Sequence, residues 1–491
     1  MSRAPAKVYD VAMDVFSAPA PAASMGATPC GPQDIAYFRD RVQAGELPNG
    51  TPRLEGLLSE YDLPLDSDIP CDKLLCLDGQ AMPATLTWDP DIRYIAQVGF
   101  SSNLDPRTFK RAPLHLVAVI DRSDSMSGQP LELVKESLMT VVSLLNPDDE
   151  LSVVLYSDRS HVYMNPTPVR DKAAIQAQIR EIQSAGATNM EEGLAVGFEL
   201  ARTHEFAGTA RVMLFTDALP DVGKTDSGNL IRMATDASNA GVGMTMIGVG
   251  VQFGVELANA ISSFRGGNLF FFPDVTEMQK RFEDEFDTMV TELAYDMTLV
   301  IAPIHGLRIP YVLGVPANAG RWLDCGGVST EIETIFLSRK RGAIYIPFVY
   351  DSGPGLPEVR PAIGAPVATI TMGFQQRGGA DRDRARIVLR LVEPKSASVG
   401  LVRGHGLIDH WQTMDRALML YGRADHEGAH QAVHALASTY RRASDLDPGL
   451  AEERTILFTL ERMLAKLTGH QDDPTVAASI AVDRVIGLPS R

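Results

Sequence analysis

Between residues 113 and 295, apolar runs of strand length alternate with amphipathic runs of helical length. Residues 114–120 are apolar except for His115, which indicates a strand buried on both faces. Pro130 then opens an amphipathic helix, and later apolar runs such as "ELSVVLYS" and "ARVMLFTD" are again separated by helical segments. This alternation predicts an α/β domain with a doubly wound, mainly parallel sheet.

The segments on either side of this α/β domain differ from it in composition and in the pattern of apolar residues. Residues 1–34 are rich in Ala and Pro and are expected to be irregular, whereas residues 35–112 predict a helix followed by strands of a β-domain. Residues 296–395 contain apolar runs separated by Gly and Pro, which predicts an antiparallel, sandwich-like β-domain. Residues 396–491 predict a C-terminal helical region.

Composition limits the classes of partner and the location. The chain has 62 Asp+Glu against 45 Lys+Arg, a formal charge of −17, so it lacks the basic character of a general nucleic-acid binder. There is no apolar run of about 18 residues that could span a membrane. Asp10 and Asp14 interrupt the stretch where the apolar core of a signal peptide would lie. A cytoplasmic location is therefore expected.

Two of the four cysteines, Cys71 and Cys76, lie close together in a loop-like region. Their spacing is wrong for a zinc knuckle, and no second pair lies nearby. Reduced structural thiols are expected, with a Cys71–Cys76 disulfide as the alternative if the protein is exported.

Hydroxyl and carboxylate side chains cluster in three loops of the predicted α/β domain, where ligands bind in folds of this class. The segments are Asp121-x-Ser123-x-Ser125, Gly186-Ala187-Thr188-Asn189 and Thr216-Asp217. Each segment alone is more often a helix cap than a ligand set. If the strands that feed the first and third loops are neighbours, however, all three loops converge. Oxygen ligands with few carboxylates suit a hard divalent cation such as Mg²⁺.

The three segments resemble the metal-ion-dependent adhesion site of von Willebrand factor type A (VWA) domains, in the family's order and in the expected loops. The resemblance implies a bound Mg²⁺, with Mn²⁺ or Ca²⁺ as alternatives. Its open coordination position would accept an Asp or Glu carboxylate from a protein partner. The implied ligands are Ser123 and Ser125 directly, and Asp121, Thr188 and Asp217 directly or through water, with Asp124, Asn189 and Thr216 supporting them.

Two residues depart from the family's pattern. Asp124 stands between the two serines, where the family usually has glycine, and Ala218 stands after the third-loop aspartate, again in place of glycine. Three roles for Asp124 are open: its charge tightens metal binding, its charge repels an acidic partner, or its side chain points to solvent.

The flanking segments are similar to those of bacterial VWA proteins and of inter-alpha-trypsin-inhibitor heavy chains. This similarity implies that strands before and after the VWA domain share one β-domain, into which the VWA domain is inserted. It also leaves export open, because related proteins can be exported. The function implied is metal-dependent protein binding or scaffolding without enzyme activity. The alternative is a subunit that works with an AAA+ ATPase, as in chelatase or MoxR-type complexes.

A competing motif, "HEGAH", lies in the C-terminal region. His426, Glu427 and His430 have the spacing of a zincin helix, in which two histidines bind Zn²⁺ and the glutamate activates water. Gly428 weakens a helix at this point, and nothing else around the motif suggests a protease. The alternatives are a zinc metalloprotease, adventitious binding of a divalent metal, and a solvated polar helix face.

Overall fold

The computed structural model describes residues 26–29, 32–33, 35–48, 52–65, 71–105, 108–217, 227–249, 265–272, 275–315, 320–323, 326–351, 360–376, 379, 382–443 and 447–471. The segment "GVELANAISSF", whose amphipathic pattern predicts one of the helices of the α/β domain, lies outside these residues. So does Ala218, which stands where the VWA family usually has glycine.

The strands are β1 (Gly26–Pro29), β2 (Pro32–Gln33), β3 (Cys76–Pro83), β4 (Tyr94–Ser101), β5 (Leu114–Asp121), β6 (Glu150–Tyr156), β7 (Ser160–Pro168), β8 (Thr209–Thr216), β9 (Val242–Val249), β10 (Gly267–Phe272), β11 (Glu292–Pro303), β12 (Leu307–Arg308), β13 (Gly320–Trp322), β14 (Val328–Ser338), β15 (Ala343–Tyr350), β16 (Pro366–Gln376) and β17 (Arg382–Arg390). The helices are α1 (Ile35–Gln43), α2 (Leu54–Ser59), α3 (Gln129–Leu144), α4 (Lys172–Arg180), α5 (Met190–Thr203), α6 (Ser227–Asn239), α7 (Val275–Met289), α8 (Val399–Gly422), α9 (His426–Arg442) and α10 (Ala451–Thr468).

The α/β domain is built on a seven-stranded sheet of order β2-β10-β9-β8-β5-β6-β7. Its strands pair in parallel except for the edge strand β7, which is antiparallel to β6. Every residue of β5 is buried, as the apolar run predicts. Leu116 and Ala118 face a core with α3 and α7, whereas Val117 and Val119 face a second core with α5 and α6. The predicted doubly wound α/β architecture is confirmed.

Strands from both sides of this domain form one ten-stranded sheet, in which all of the strand pairs are antiparallel. β4, which precedes the α/β domain, pairs with β15, which follows it. The α/β domain is therefore an insertion between β4 and β11, as expected. Its end differs slightly from the predicted residue 295, because β11 already begins at Glu292.

The expectation that residues 1–34 are irregular is wrong for the end of that segment. β1 pairs with β14 and touches β4 in the ten-stranded sheet, and β2 adds to the edge of the α/β sheet beside β10. The short sequence "GATP" carries no apolar alternation, so its strand depends on backbone pairing with long partners rather than on a pattern of its own.

The C-terminal helices α8, α9 and α10 form a helical region, as expected, and α1 and α2 pack with them. Phe38 of α1 and Leu57 of α2 share a buried cluster with Leu407, Val433 and Leu457 of the C-terminal helices. The N-terminal helix therefore buries its apolar face against the helical region. No helix in the part of the chain that the structure describes has the length and apolarity to cross a membrane.

A buried ion pair joins the two sheets. Arg211 of β8 donates from Nη1 to Oε1 of Glu292 in β11 over 2.9 Å, and both side chains are almost fully buried. The same guanidinium donates from Nε to the Thr245 hydroxyl over 2.9 Å and lies over the Phe336 ring of β14, 5.2 Å from its centroid. One arginine of the α/β sheet is thereby held by two strands of the β-domain.

Replacing Glu292 with alanine should lower the free energy of unfolding by about 3–5 kcal/mol, because the Arg211 charge would stay buried without compensation. Urea titration measures this change. The double variant Arg211→Met/Glu292→Leu should lose less. Asp236→Ala, which breaks an exposed pair with Arg232, is the matched control and should leave the midpoint nearly unchanged. A Glu292→Ala midpoint equal to that of the control would contradict a structural role for the pair.

The expectation of reduced thiols is wrong for one pair of cysteines. Cys71 and Cys76 are joined by a disulfide, since the loop before β3 brings their Cα atoms to 5.6 Å, within disulfide range.

Trypsin cleaves after Lys73, so it separates the two cysteines into different peptides. Digestion of alkylated, unreduced protein should yield these peptides joined, with reduction before alkylation as the control. Mass spectrometry that finds both cysteines alkylated without reduction would contradict the disulfide.

Candidate metal centre

The first loop begins at the buried carboxylate that ends β5. Asp121 Oδ1 accepts a hydrogen bond from the Ser123 amide over 2.9 Å. Its Oδ2 accepts from the Tyr156 phenol over 3.1 Å and from the Thr216 hydroxyl over 3.0 Å. Burial raises the pKa of Tyr156 well above its usual value, and the neighbouring Asp121 charge raises it further, so the phenol stays a donor. Three donors therefore fix the orientation of this carboxylate.

A chain of oxygen atoms connects the first loop to the third. β5 and β8 are parallel neighbours, so their carboxyl ends lie side by side. Ser123 Oγ lies 3.0 Å from Ser125 Oγ, and Ser125 donates to Asp217 Oδ1 over 3.3 Å. Octahedral Mg²⁺ has bonds of 2.0–2.1 Å, which place adjacent ligand oxygens about 2.9 Å apart. The separation of 3.0 Å is close to this value and that of 3.3 Å is longer, so the oxygens of the two loops lie near enough for one ion to bind both.

The second loop leads into α5. The Asn189 side chain caps the helix by accepting from the Glu192 backbone amide over 3.2 Å. The backbone amide of Asn189 donates to the Ser157 carbonyl over 2.9 Å. Thr188 is exposed just before this cap. Of the three predicted supporting residues, Thr216 thus contacts Asp121, whereas Asn189 fixes the loop that carries Thr188.

Asp124 connects the first loop to the second. Its amide donates to the Gly186 carbonyl over 2.8 Å, and its Oδ1 accepts from the Gly186 amide over 3.0 Å. Gly186 has a φ of +80°, and a Cβ there would lie 2.4 Å from Asp158 Oδ2, so glycine is required. Asp124 is exposed, but its carboxylate is committed to the second loop and does not simply point into solvent.

Three residues of this neighbourhood were not singled out from the sequence. Tyr156 holds Asp121, Asp158 Oδ1 accepts from the Ala187 amide over 3.1 Å, and the Glu192 carboxylate accepts from the Asn189 side chain over 3.0 Å. For Tyr156 and Asp158 the signal was the "YSD" at the end of β6, since β6 is the other neighbour of β5 and its carboxyl end opens at the same edge.

Residues 115–284 match the family model of the von Willebrand factor type A domain. The chain contains a VWA domain. An uncharacterized protein from Synechocystis sp. is 30% identical over 180 residues, 37% of this chain and 42% of the relative. Inter-alpha-trypsin inhibitor heavy chain H1 from Mesocricetus auratus is 26% identical over 182 residues, 35% of this chain and 20% of the relative.

A solved von Willebrand factor type A structure from Catenulispora acidiphila has 14% identity and a TM-score of 0.47, covering 83% of this chain and 97% of that one. The present chain spans less than half the length of the two curated relatives. The resemblance to VWA proteins, including inter-alpha-trypsin inhibitor heavy chains, is confirmed. VWA domains commonly mediate metal-dependent protein interactions.

The fold adds a third residue to part of the predicted zincin set in the helical region. Among the described residues, Glu427, His430 and His470 form a group of three whose ligand atoms are close enough to share a metal. His426 is not in this group and stacks on Tyr421, with ring centroids 5.0 Å apart. The pairing of His426 with His430 in a zinc site stays a prediction.

Asp124→Ala should weaken divalent-metal binding at the VWA loops by about tenfold, because outer hydrogen bonds to a metal site are commonly worth 10–100-fold in affinity. Asp124→Asn keeps an acceptor oxygen for the Gly186 amide and is the matched control. Isothermal titration with Mn²⁺ compares the three proteins. Equal affinity of wild type and Asp124→Ala would show that the link between the loops does not support the site.

Proposed function

We propose that the VWA domain binds Mg²⁺ through Asp121, Ser123, Ser125, Thr188 and Asp217, and that the bound ion accepts a carboxylate from a protein partner. The observation that carries the proposal is the chain of oxygens from Ser123 through Ser125 to Asp217, with separations of 3.0 and 3.3 Å, at the carboxyl edge of the sheet. Mn²⁺ or Ca²⁺ would suit the same donor chemistry.

The number of protein ligands supports a binding role. The proposed set has five oxygen ligands, of which only Asp121 and Asp217 are carboxylates, and Asp121 already accepts three hydrogen bonds. Octahedral Mg²⁺ takes six ligands, so one position would be open to an oxygen from a partner. Ser125 and Thr188 are exposed, so this side of the site is accessible to a partner.

We propose binding or scaffolding rather than catalysis. Among the described residues of the three loops there is no histidine or lysine beside the serine hydroxyls that could act as a general base. An AAA+ ATPase stays an alternative class of partner.

The Cys71–Cys76 bond supports a proposal on location. Disulfides persist mainly in oxidising compartments and are rare in the cytosol. The bond therefore favours export over the cytoplasmic location expected from the sequence.

The functional test is a pull-down from the native host with Mg²⁺ present and elution by EDTA. Proteins eluted from the wild type should be reduced at least about tenfold with Asp121→Ala, since the ligand set would be broken. Ser125→Ala should have the same effect. It removes only an exposed hydroxyl, so the hydrophobic core should stay intact. Asp236→Ala, exposed on α6, is the control.

Mass spectrometry of the eluate identifies the partner and shows whether it is an AAA+ ATPase. Partners that stay bound in EDTA and to both site variants would refute metal-dependent binding.

A further inference from the structure

We propose a second metal site, in which Glu427, His430 and His470 bind Zn²⁺ and clamp the end of α10 to the start of α9. The site lies in the helical region and is independent of the VWA loops. None of its ligands contributes to the function proposed above.

The three side chains come from two separate elements. Glu427 lies in the first turn of α9 and His430 at the start of its second turn. His470 follows Gly469, which ends α10 with a φ of +80°. The His470 amide donates to the Ala465 carbonyl over 2.8 Å, which fixes the chain as it leaves the helix. This helix end places the His470 ring parallel to the His430 ring, with centroids 5.0 Å apart.

His430 is the observation that points to a ligand. Its side chain is 95% buried, yet neither ring nitrogen has a hydrogen-bond partner. Burying a polar group without a partner destabilises a protein, so such groups in folded proteins call for an explanation. A metal ion bound to one ring nitrogen would supply the missing partner.

The spacing of the donors is close to that of a metal site. One potential ligand atom from each residue lies within 4.8 Å of the others, and His470 Nε2 is 3.1 Å from Glu427 Oε2. Tetrahedral zinc with bonds of about 2.1 Å places its ligands about 3.4 Å apart. The rings of His430 and His470 are stacked, and an imidazole binds a metal in the plane of its ring, so the His470 ring must turn to reach an ion held by His430. His470 is exposed beyond the end of the helix and has room for this rotation, and Glu427 is exposed as well.

The donor types select the metal. Two imidazoles and one carboxylate suit Zn²⁺, whereas Mg²⁺ and Ca²⁺ prefer an all-oxygen set. His434 lies on the same helix, but both of its ring nitrogens have partners outside the group, Nδ1 with Glu461 over 2.8 Å and Nε2 with Ser438 over 3.2 Å. His470 and Glu427, in contrast, pair with each other, so an ion between them would replace a contact within the group. With Glu427 as a ligand and His426 stacked on Tyr421, the arrangement is a clamp and differs from the zincin arrangement.

Zinc titration of the full chain, with any affinity tag removed, tests the clamp. The titration uses the Asp121→Ala variant, so that the VWA loops do not compete for zinc. If that variant folds poorly, the titration uses wild-type protein with excess Mg²⁺ to occupy the VWA loops. Calorimetry measures the zinc affinity, and the visible absorption of Co²⁺-loaded protein reports histidine ligation. We expect one zinc site in the Asp121→Ala protein and one in the wild-type protein with excess Mg²⁺.

His470→Ala should weaken zinc binding by at least about tenfold, since even outer partners of metal ligands are worth that much. His470 is exposed beyond the helix end, so its loss should not disturb folding. His426→Ala is the matched control and should bind zinc like its parent. Unchanged affinity in His470→Ala would overturn the clamp. Loss of binding in His426→Ala equal to that in His470→Ala would also overturn it, and would favour the His426–His430 pair.

Discussion

The arrangement of the domains depends on one buried charge pair. Arg211 belongs to the VWA sheet, and Glu292 is the first residue of the strand by which the chain returns to the β-domain. Burying two charges is costly unless their geometry and hydrogen bonds compensate. Here the guanidinium also contacts Thr245 and the Phe336 ring, so its position is fixed from both sheets. An insertion held in this way has a defined orientation, because sliding of one sheet along the other would separate the charges.

The candidate metal site also depends on a buried charge whose position is fixed by hydrogen bonds from several elements. Asp121 is a buried carboxylate whose oxygens are held by Ser123, Tyr156 and Thr216, from the first loop and the ends of β6 and β8. Asp124 then fixes the second loop to the first through Gly186. These hydrogen bonds arrange the loops through protein contacts alone, and preorganisation of this kind reduces the cost of binding an ion. The residue that departs from the family's glycine has a structural role in this link.

Much of the fold and of this site was predictable because the signals are local and repeated. The buried run of β5 and the helices that follow it determine the α/β architecture, and parallel neighbours necessarily open their loops at one edge. Tyr156 was missed because an aromatic at the end of an apolar strand looks like core. His470 was missed because its proximity to His430 arises from the angle between two helices, which periodicity does not encode. The pairing of β1 was missed because its main partner, β14, lies about 300 residues further along the chain, and a local pattern does not encode such a contact.

The place of β1 has a consequence for biosynthesis. Gly26 pairs with Ser338, so the large sheet cannot be completed until most of the polypeptide has left the ribosome. The VWA domain is translated between these two strands, and its pairings are closer in sequence than those that enclose it. Contacts between distant segments form slowly, because the long loop between them must first be closed. We therefore expect the VWA domain to fold first and to bring β4 and β11 together, with the N-terminal strand joining last.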